Sequence, residues 1–148
     1  GKRWRTILLV LGALGFAAKE TAKGGVLIDL GGAESEEGAL LLQAHTDAIY
    51  AADDEKAPEA VYLYHKCLTE ISQNVAYSMV FQSFEKMIRN LIREHYKSRE
   101  EFTSSIPKFQ MLTAAISRRD AYAADIVLLS LLGQASDYLG NHLEQYRG

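Results

Sequence analysis

His65, Arg89 and Arg93 are the residues of this chain whose type and spacing suit them to recognition chemistry. His65 lies four residues after Val61 and three before Leu68, beside a run in which Val61, Tyr64, Leu68 and Ile71 recur at steps of three and four. That spacing is one stripe of an amphipathic helix, so an imidazole at its edge projects into, or along the rim of, whatever the stripe packs against. His65 is therefore the first candidate for a polar group in the interior. Arg89 and Arg93 are one helical turn apart, so both guanidiniums can point at one anionic group, and a solvated face satisfies the same spacing. Cys67 is the single cysteine and cannot form an internal disulfide. Its place beside the stripe predicts a buried thiol in a reducing compartment, because a reactive one needs a positive, partly exposed setting.

Other clusters carry less. Gly24, Gly25, Gly31 and Gly32 invite comparison with a phosphate-cradling loop, but no Lys followed by Ser or Thr comes after them and no GxGxxG spacing exists. Residues 24–38 read as a loop. Asp53, Asp54, Glu55 and Lys56 form a charged connection whose adjacent side chains face water. No nucleophile, base and orienting group can be picked out together, so no catalysis is expected.

The elements that must position these residues are helical. Pro58 suits a helical first turn, and Ser72 to Asn74 supply capping side chains where that helix stops and another starts at Val75. From there Tyr77, Phe81, Phe84, Ile88, Leu91, Ile92 and His95 keep a helical spacing, which predicts one long helix to about Tyr96, with Lys86, Arg89, Asn90 and Arg93 on its outer face. Ser98 followed by Glu101 is a capping-box pattern, Pro107 predicts a restart capped by Ser104 or Ser105, and the segment runs to Arg119. Asp120 caps a last helix whose face is Ala124, Val127, Leu128, Leu131, Ala135, Tyr138 and His142. Upstream, Ala39–Ala52 predicts a helix with Leu41, Ala44, Ala48 and Ala52 as its stripe and Leu42, His45 and Ile49 beside it. Residues 7–18, apolar after Lys2, Arg3 and Arg5, read as a buried helix entered at Trp4; a secretory signal peptide has the same layout, and the run is too short to span a bilayer.

With 148 residues, 48% of them hydrophobic, the chain suffices for a single domain, and its net charge of -3 is mixed along the sequence, so no basic face for nucleic acid is expected. The only strand-like run is Val26 to Leu30. The expected fold is all-α, an antiparallel bundle of about six helices around a possible ligand cavity.

Tyr64, His65, Lys66, Leu68, Glu70, Ser72, Asn74 and Tyr77, with the later run Phe109, Leu112, Ala115, Ile116, Arg119, Asp120 and Ala124, resemble the effector-binding C-terminal domain of the FadR branch of GntR-type transcription regulators. The resemblance covers roughly residues 58–140. It implies a homodimeric, cytoplasmic domain whose bundle encloses a small metabolite, often a carboxylate, and whose N-terminal winged helix, not found in this chain, contacts DNA. Many members hold a divalent metal through an Asp, a His four residues later and two further His. At those positions this chain has Val61, His65, Phe109 and Leu131. One imidazole does not hold a metal, so the resemblance points to the metal-free subgroup, with no cofactor.

On that basis the expected function is sensing of a carboxylate or acyl-type effector. His65 would hydrogen-bond it, Arg89 or Arg93 would meet its anionic group, and Tyr62, Tyr77 and Tyr96 would form walls. The competing expectation is a helical interaction module that binds a partner through an apolar groove and takes no small molecule.

Overall fold

Periodic apolar side chains, interrupted by capping residues at short intervals, divide the chain into helices too amphipathic to stand alone. The computed structural model describes residues 31–71 and 75–141. These form six helices: α1 (Gly31–Ala51), α2 (Ala57–Ile71), α3 (Val75–Ser83), α4 (Glu85–His95), α5 (Arg99–Ser117) and α6 (Ala121–Asn141). No strand occurs among the described residues. The expectations for residues 1–30, for the Ser72 to Asn74 corner, for the Tyr77, Ala135 and Tyr138 side chains and for His142 fall outside what is described.

α5 is the spine of the all-α bundle, packing on α1 at one side and α6 at the other, while α2 packs between α1 and α4. The core follows from the stripes. Val61, Tyr64, Leu68 and Ile71 of α2 are all buried, as are Phe102, Phe109, Leu112 and Ile116 of α5 and Ala124, Val127, Leu128 and Leu131 of α6. Fully burying a large apolar side chain contributes about 1.5–3 kcal/mol, so it is these stripes that hold the helices in register.

Three local features differ from the sequence reading. α1 begins at Gly31, within the stretch read as a loop, and buries Leu42, Thr46 and Ile49, whereas Leu41 is 51% exposed and Ala44 and Ala48 face outward. Leu42 and Ile49 each bring more apolar area to the core than two alanines, so burial selects their side of the helix. The predicted long helix is two, with a break at Phe84 (φ -109°, ψ 19°). Hydrogen bonds from Phe84 N to Val80 O and from Ile88 N to Phe84 O span it, so the break is a kink more than a corner.

The third difference is Pro107, which sits inside α5 without ending it. Proline removes the N–H that would reach the Thr103 carbonyl, at a cost of about 3 kcal/mol in an ordinary helix interior. Pro107 and Thr103 both lie on the exposed face, where water can satisfy that carbonyl. The buried stripe on the opposite face outweighs the loss. The N-terminus of α5 is where the Ser98 pattern placed it, with the Ser98 hydroxyl accepting from Glu101 N at 3.3 Å.

The turn from α5 to α6 is closed by hydrogen bonds from Arg119 N to Ile116 O and from Asp120 N to Ala115 O. Those two bonds form a Schellman motif, and Arg119 occupies its left-handed position at φ 59°. Asp120 then caps α6 by accepting from Ala123 N at 3.0 Å, as expected.

Candidate functional site

Two places gather the chemistry-bearing residues: the core between α1, α2 and α5, and a cleft at the outer edge of α2 and α4.

In the core, the rings of Tyr64 and Phe109 meet edge-on with centroids 4.9 Å apart, and His65 packs against Phe109 at 5.8 Å. His65 is half-buried, and its dense surroundings push its pKa down to about 4. Beyond Tyr64 lies a polar chain. The Tyr64 hydroxyl is 2.9 Å from Thr113 Oγ1, which is 2.6 Å from Thr46 Oγ1, and the Thr46 hydroxyl donates to Leu42 O at 2.9 Å. Thr46 has one proton and gives it to Leu42, so Thr113 donates to Thr46 and Tyr64 donates to Thr113. Cys67 is a buried free thiol whose pKa burial raises to about 11, which leaves it a poor nucleophile at neutral pH.

These residues do not fit a metal. Val61 and Phe109 are at most 1% exposed, Leu131 is also buried, and none of the three offers a lone pair. Among the described residues no group of three His, Cys, Asp or Glu side chains could hold an ion. What stands around His65 is aromatic and aliphatic packing.

The cleft has a volume of about 430 Å³ and is lined by Asp54, Glu55, Pro58, Glu59, Arg89, Arg93, Tyr96 and Lys97. Asp53 fixes the turn that supplies its acidic wall, accepting from Lys56 N at 2.9 Å. Arg89 is committed: it pairs with Glu59 and Glu85, and its guanidinium carbon lies 3.7 Å from the centroid of the Tyr62 ring, a cation–π contact. Burial alone would lower its pKa, but the two carboxylates outweigh burial and raise it. Tyr62 in turn stacks on Phe81 at 5.2 Å. Arg93 makes a hydrogen bond to Asn90 Oδ1 at 3.2 Å and has no carboxylate partner among the described residues. Tyr96 closes the inner wall, its ring packed on His95 and Phe102, and burial raises its phenol pKa to about 12.

The structure thus brings Arg89, Arg93 and Tyr96 to one cleft and holds Tyr62 against Arg89. His65 is not among the cleft's lining residues. The acidic wall, which sequence spacing had left as a solvated turn, is the part sequence reasoning missed; residues 54–59 meet residues 89–97 only through the packing of α2 on α4.

The site is thus a charged cleft on one flank of an all-α bundle. The FCD domain model matches residues 31–134, which takes in all of α1 to α5 and most of α6. The chain belongs to the FCD family, the C-terminal effector-binding domain of FadR/GntR-type transcription regulators, a regulatory ligand-binding family and not a catalytic one. No curated protein matches the sequence.

Proposed function

We propose that this domain senses a small carboxylate effector without a metal and passes the binding event to the DNA-binding part of a cytoplasmic GntR-type regulator. Arg93 carries the proposal, a cation at the rim of a ligand-sized cleft with no acidic partner among the described residues. Val61, Phe109 and Leu131 support metal independence, since each fills with hydrocarbon a position where the resemblance implies a ligand. No helix among the described residues is long and apolar enough to cross a membrane. Thermal denaturation of the chain with a panel of small carboxylates and acyl-CoA thioesters, each with and without EDTA, tests the proposal. A ligand at a hundred times its Kd adds about 2.7 kcal/mol, a shift of several degrees in Tm. A shift that vanishes with EDTA, or no shift with any carboxylate, overturns it.

The second reading, an interaction module, draws on a different observation. Tyr122, Ile126 and Leu129 recur at steps of four and three on α6 and are 79%, 52% and 60% exposed. Contiguous exposed apolar side chains mark association surfaces, and the homodimer expected of the family fits this stripe. Native mass spectrometry separates the readings by any retained metabolite, which only the sensing reading expects, whereas a dimer is consistent with both.

A further inference from the structure

The cleft is not simply a cationic one. Its cations are Arg89, Arg93 and Lys97, and its anions are Asp54, Glu55 and Glu59. Most of these are already neutralised by a neighbour. Asp54 accepts from Arg99 at 2.8 Å, Glu59 pairs with Arg89, and Lys97 pairs with Glu94 at 2.7 Å. Two lining charges of opposite sign have no ion pair among the described residues, Glu55 on the α1–α2 turn and Arg93 on α4.

This pairing pattern discriminates among ligands. A plain anion drawn to Arg93 also meets the unpaired Glu55, and a plain cation drawn to Glu55 meets the unpaired Arg93, so each incurs a repulsion that offsets its attraction. A molecule carrying both charges meets neither penalty. The same cleft is also lined by Pro58 and Tyr96, whose apolar surfaces suit a short hydrocarbon tail. The walls are held in place beforehand, by the Asp53 turn on one side and by Arg89 clamped between Glu59, Glu85 and the Tyr62 ring on the other. A preformed site spends less of its binding free energy on ordering side chains.

We infer that the cleft binds a zwitterion of the amino-acid type, its carboxylate on Arg93, its ammonium on Glu55 and its tail along Pro58 and Tyr96. The inference rests on the effector-sensing proposal and narrows its ligand class.

A matched trio of probes tests it on the full chain by calorimetry and 15N spectra: L-norleucine, hexanoate, which lacks the ammonium, and pentylamine, which lacks the carboxylate. Norleucine binds more tightly than either by about threefold to tenfold, as expected for one additional ion pair in a half-open cleft, and shifts the amides of residues 54–59 and 89–97. Glu55→Gln brings norleucine down to the affinity of hexanoate, and Arg93→Gln brings it down to that of pentylamine. Both positions are exposed, so both variants fold. Hexanoate binding as tightly as norleucine overturns the zwitterion while leaving carboxylate sensing intact, and so does a Glu55→Gln variant with an unchanged ratio. No binding of any of the three overturns the inference, and the wider carboxylate and acyl-CoA panel then decides separately whether sensing stands.

Discussion

The hydroxyl of Tyr64 lies 2.9 Å from Thr113 Oγ1 and hands its proton inward, into a chain that ends on the Leu42 carbonyl of α1. Tyr64 and Thr113 are both fully buried, and burial raises the phenol pKa well above its ordinary value, which keeps the tyrosine a donor. The chain ties α2, α5 and α1 together at the centre of the bundle. A buried polar group without a partner costs more than a made bond contributes, so the three hydroxyls specify the relative placement of these helices as well as stabilise it.

The two ends of the Tyr64–Thr113 bond are unequal. Tyr64→Phe removes a donor from Thr113, which still gives its own proton to Thr46, and costs about 0.5–1.5 kcal/mol. Thr113→Val strands the Tyr64 proton in the core and costs about 1–3 kcal/mol. In the double variant nothing is stranded, so its loss falls short of the sum. Urea denaturation of the four proteins measures this coupling, and strictly additive losses would show that the hydroxyls do not act as a chain.

Acid should destabilise this domain earlier than its carboxylates alone predict. His65 and His95 both have pKa values of about 4 against an ordinary 6.5, burial being the leading cause in each; at His95 the Glu101 carboxylate 3.9 Å away opposes the shift and Lys108 adds to it. The unfolded chain therefore takes up protons that the folded one refuses. Stability is fully present above pH 6.5 and is lost as pH falls from 6.5 through 4, by up to about 3 kcal/mol for His95 and less for His65, whose edge meets water. Urea midpoints between pH 7.5 and 4.5 give the slope, and His95→Gln flattens it.

Much of this molecule can be read from residue spacing, and the parts that cannot have specific causes. The stripe Val61, Tyr64, Leu68, Ile71 and the caps Ser98 and Asp120 are local signals, and the structure repeats them. The face of α1 is not local: Leu41 and Leu42 are adjacent and equally apolar, and only contact with α2 and α5 selects Leu42. Pro107 misleads in the same way, because its cost is tolerable only when the opposite face is buried. The basic half of the cleft was visible as Arg89 and Arg93 one turn apart. That Arg89 is spoken for while Arg93 is not depends on Glu59, which is 30 positions away in the chain.

The turn between α5 and α6 carries a removable strain. Arg119 holds the left-handed position of the Schellman motif, where a Cβ costs about 1 kcal/mol and glycine costs nothing. Arg119→Gly raises stability by about 0.5–1 kcal/mol, less whatever its exposed side chain contributes. At the next residue, Asp120→Ala removes the bond to Ala123 N and costs about 1 kcal/mol, while Asp120→Asn keeps an acceptor there and recovers most of it. An Asp120→Asn variant as weak as Asp120→Ala would move the effect from the cap to the ion pair with Arg118, 3.5 Å away.

Metal addition gives the sharpest contrast between this chain and the metal-holding arrangement its family resemblance implies. Phe109→His puts a second imidazole beside His65 in place of a ring that is 1% exposed. The variant loses packing and buries a polar group, so it is destabilised by about 2–4 kcal/mol, and two imidazoles are too few to recover that by binding zinc. Combining Val61→Asp, Phe109→His and Leu131→His with the native His65 supplies four ligands. That protein is poorly folded in EDTA, because it buries an unpaired carboxylate, and gains stability on adding zinc, since metal bound only by the folded state adds its binding free energy to folding. Urea midpoints in EDTA and in zinc for the two variants and the parent decide it. Zinc that stabilises the parent, or rescues Phe109→His alone, would mean that a ligand set exists which Val61, Phe109 and Leu131 do not account for.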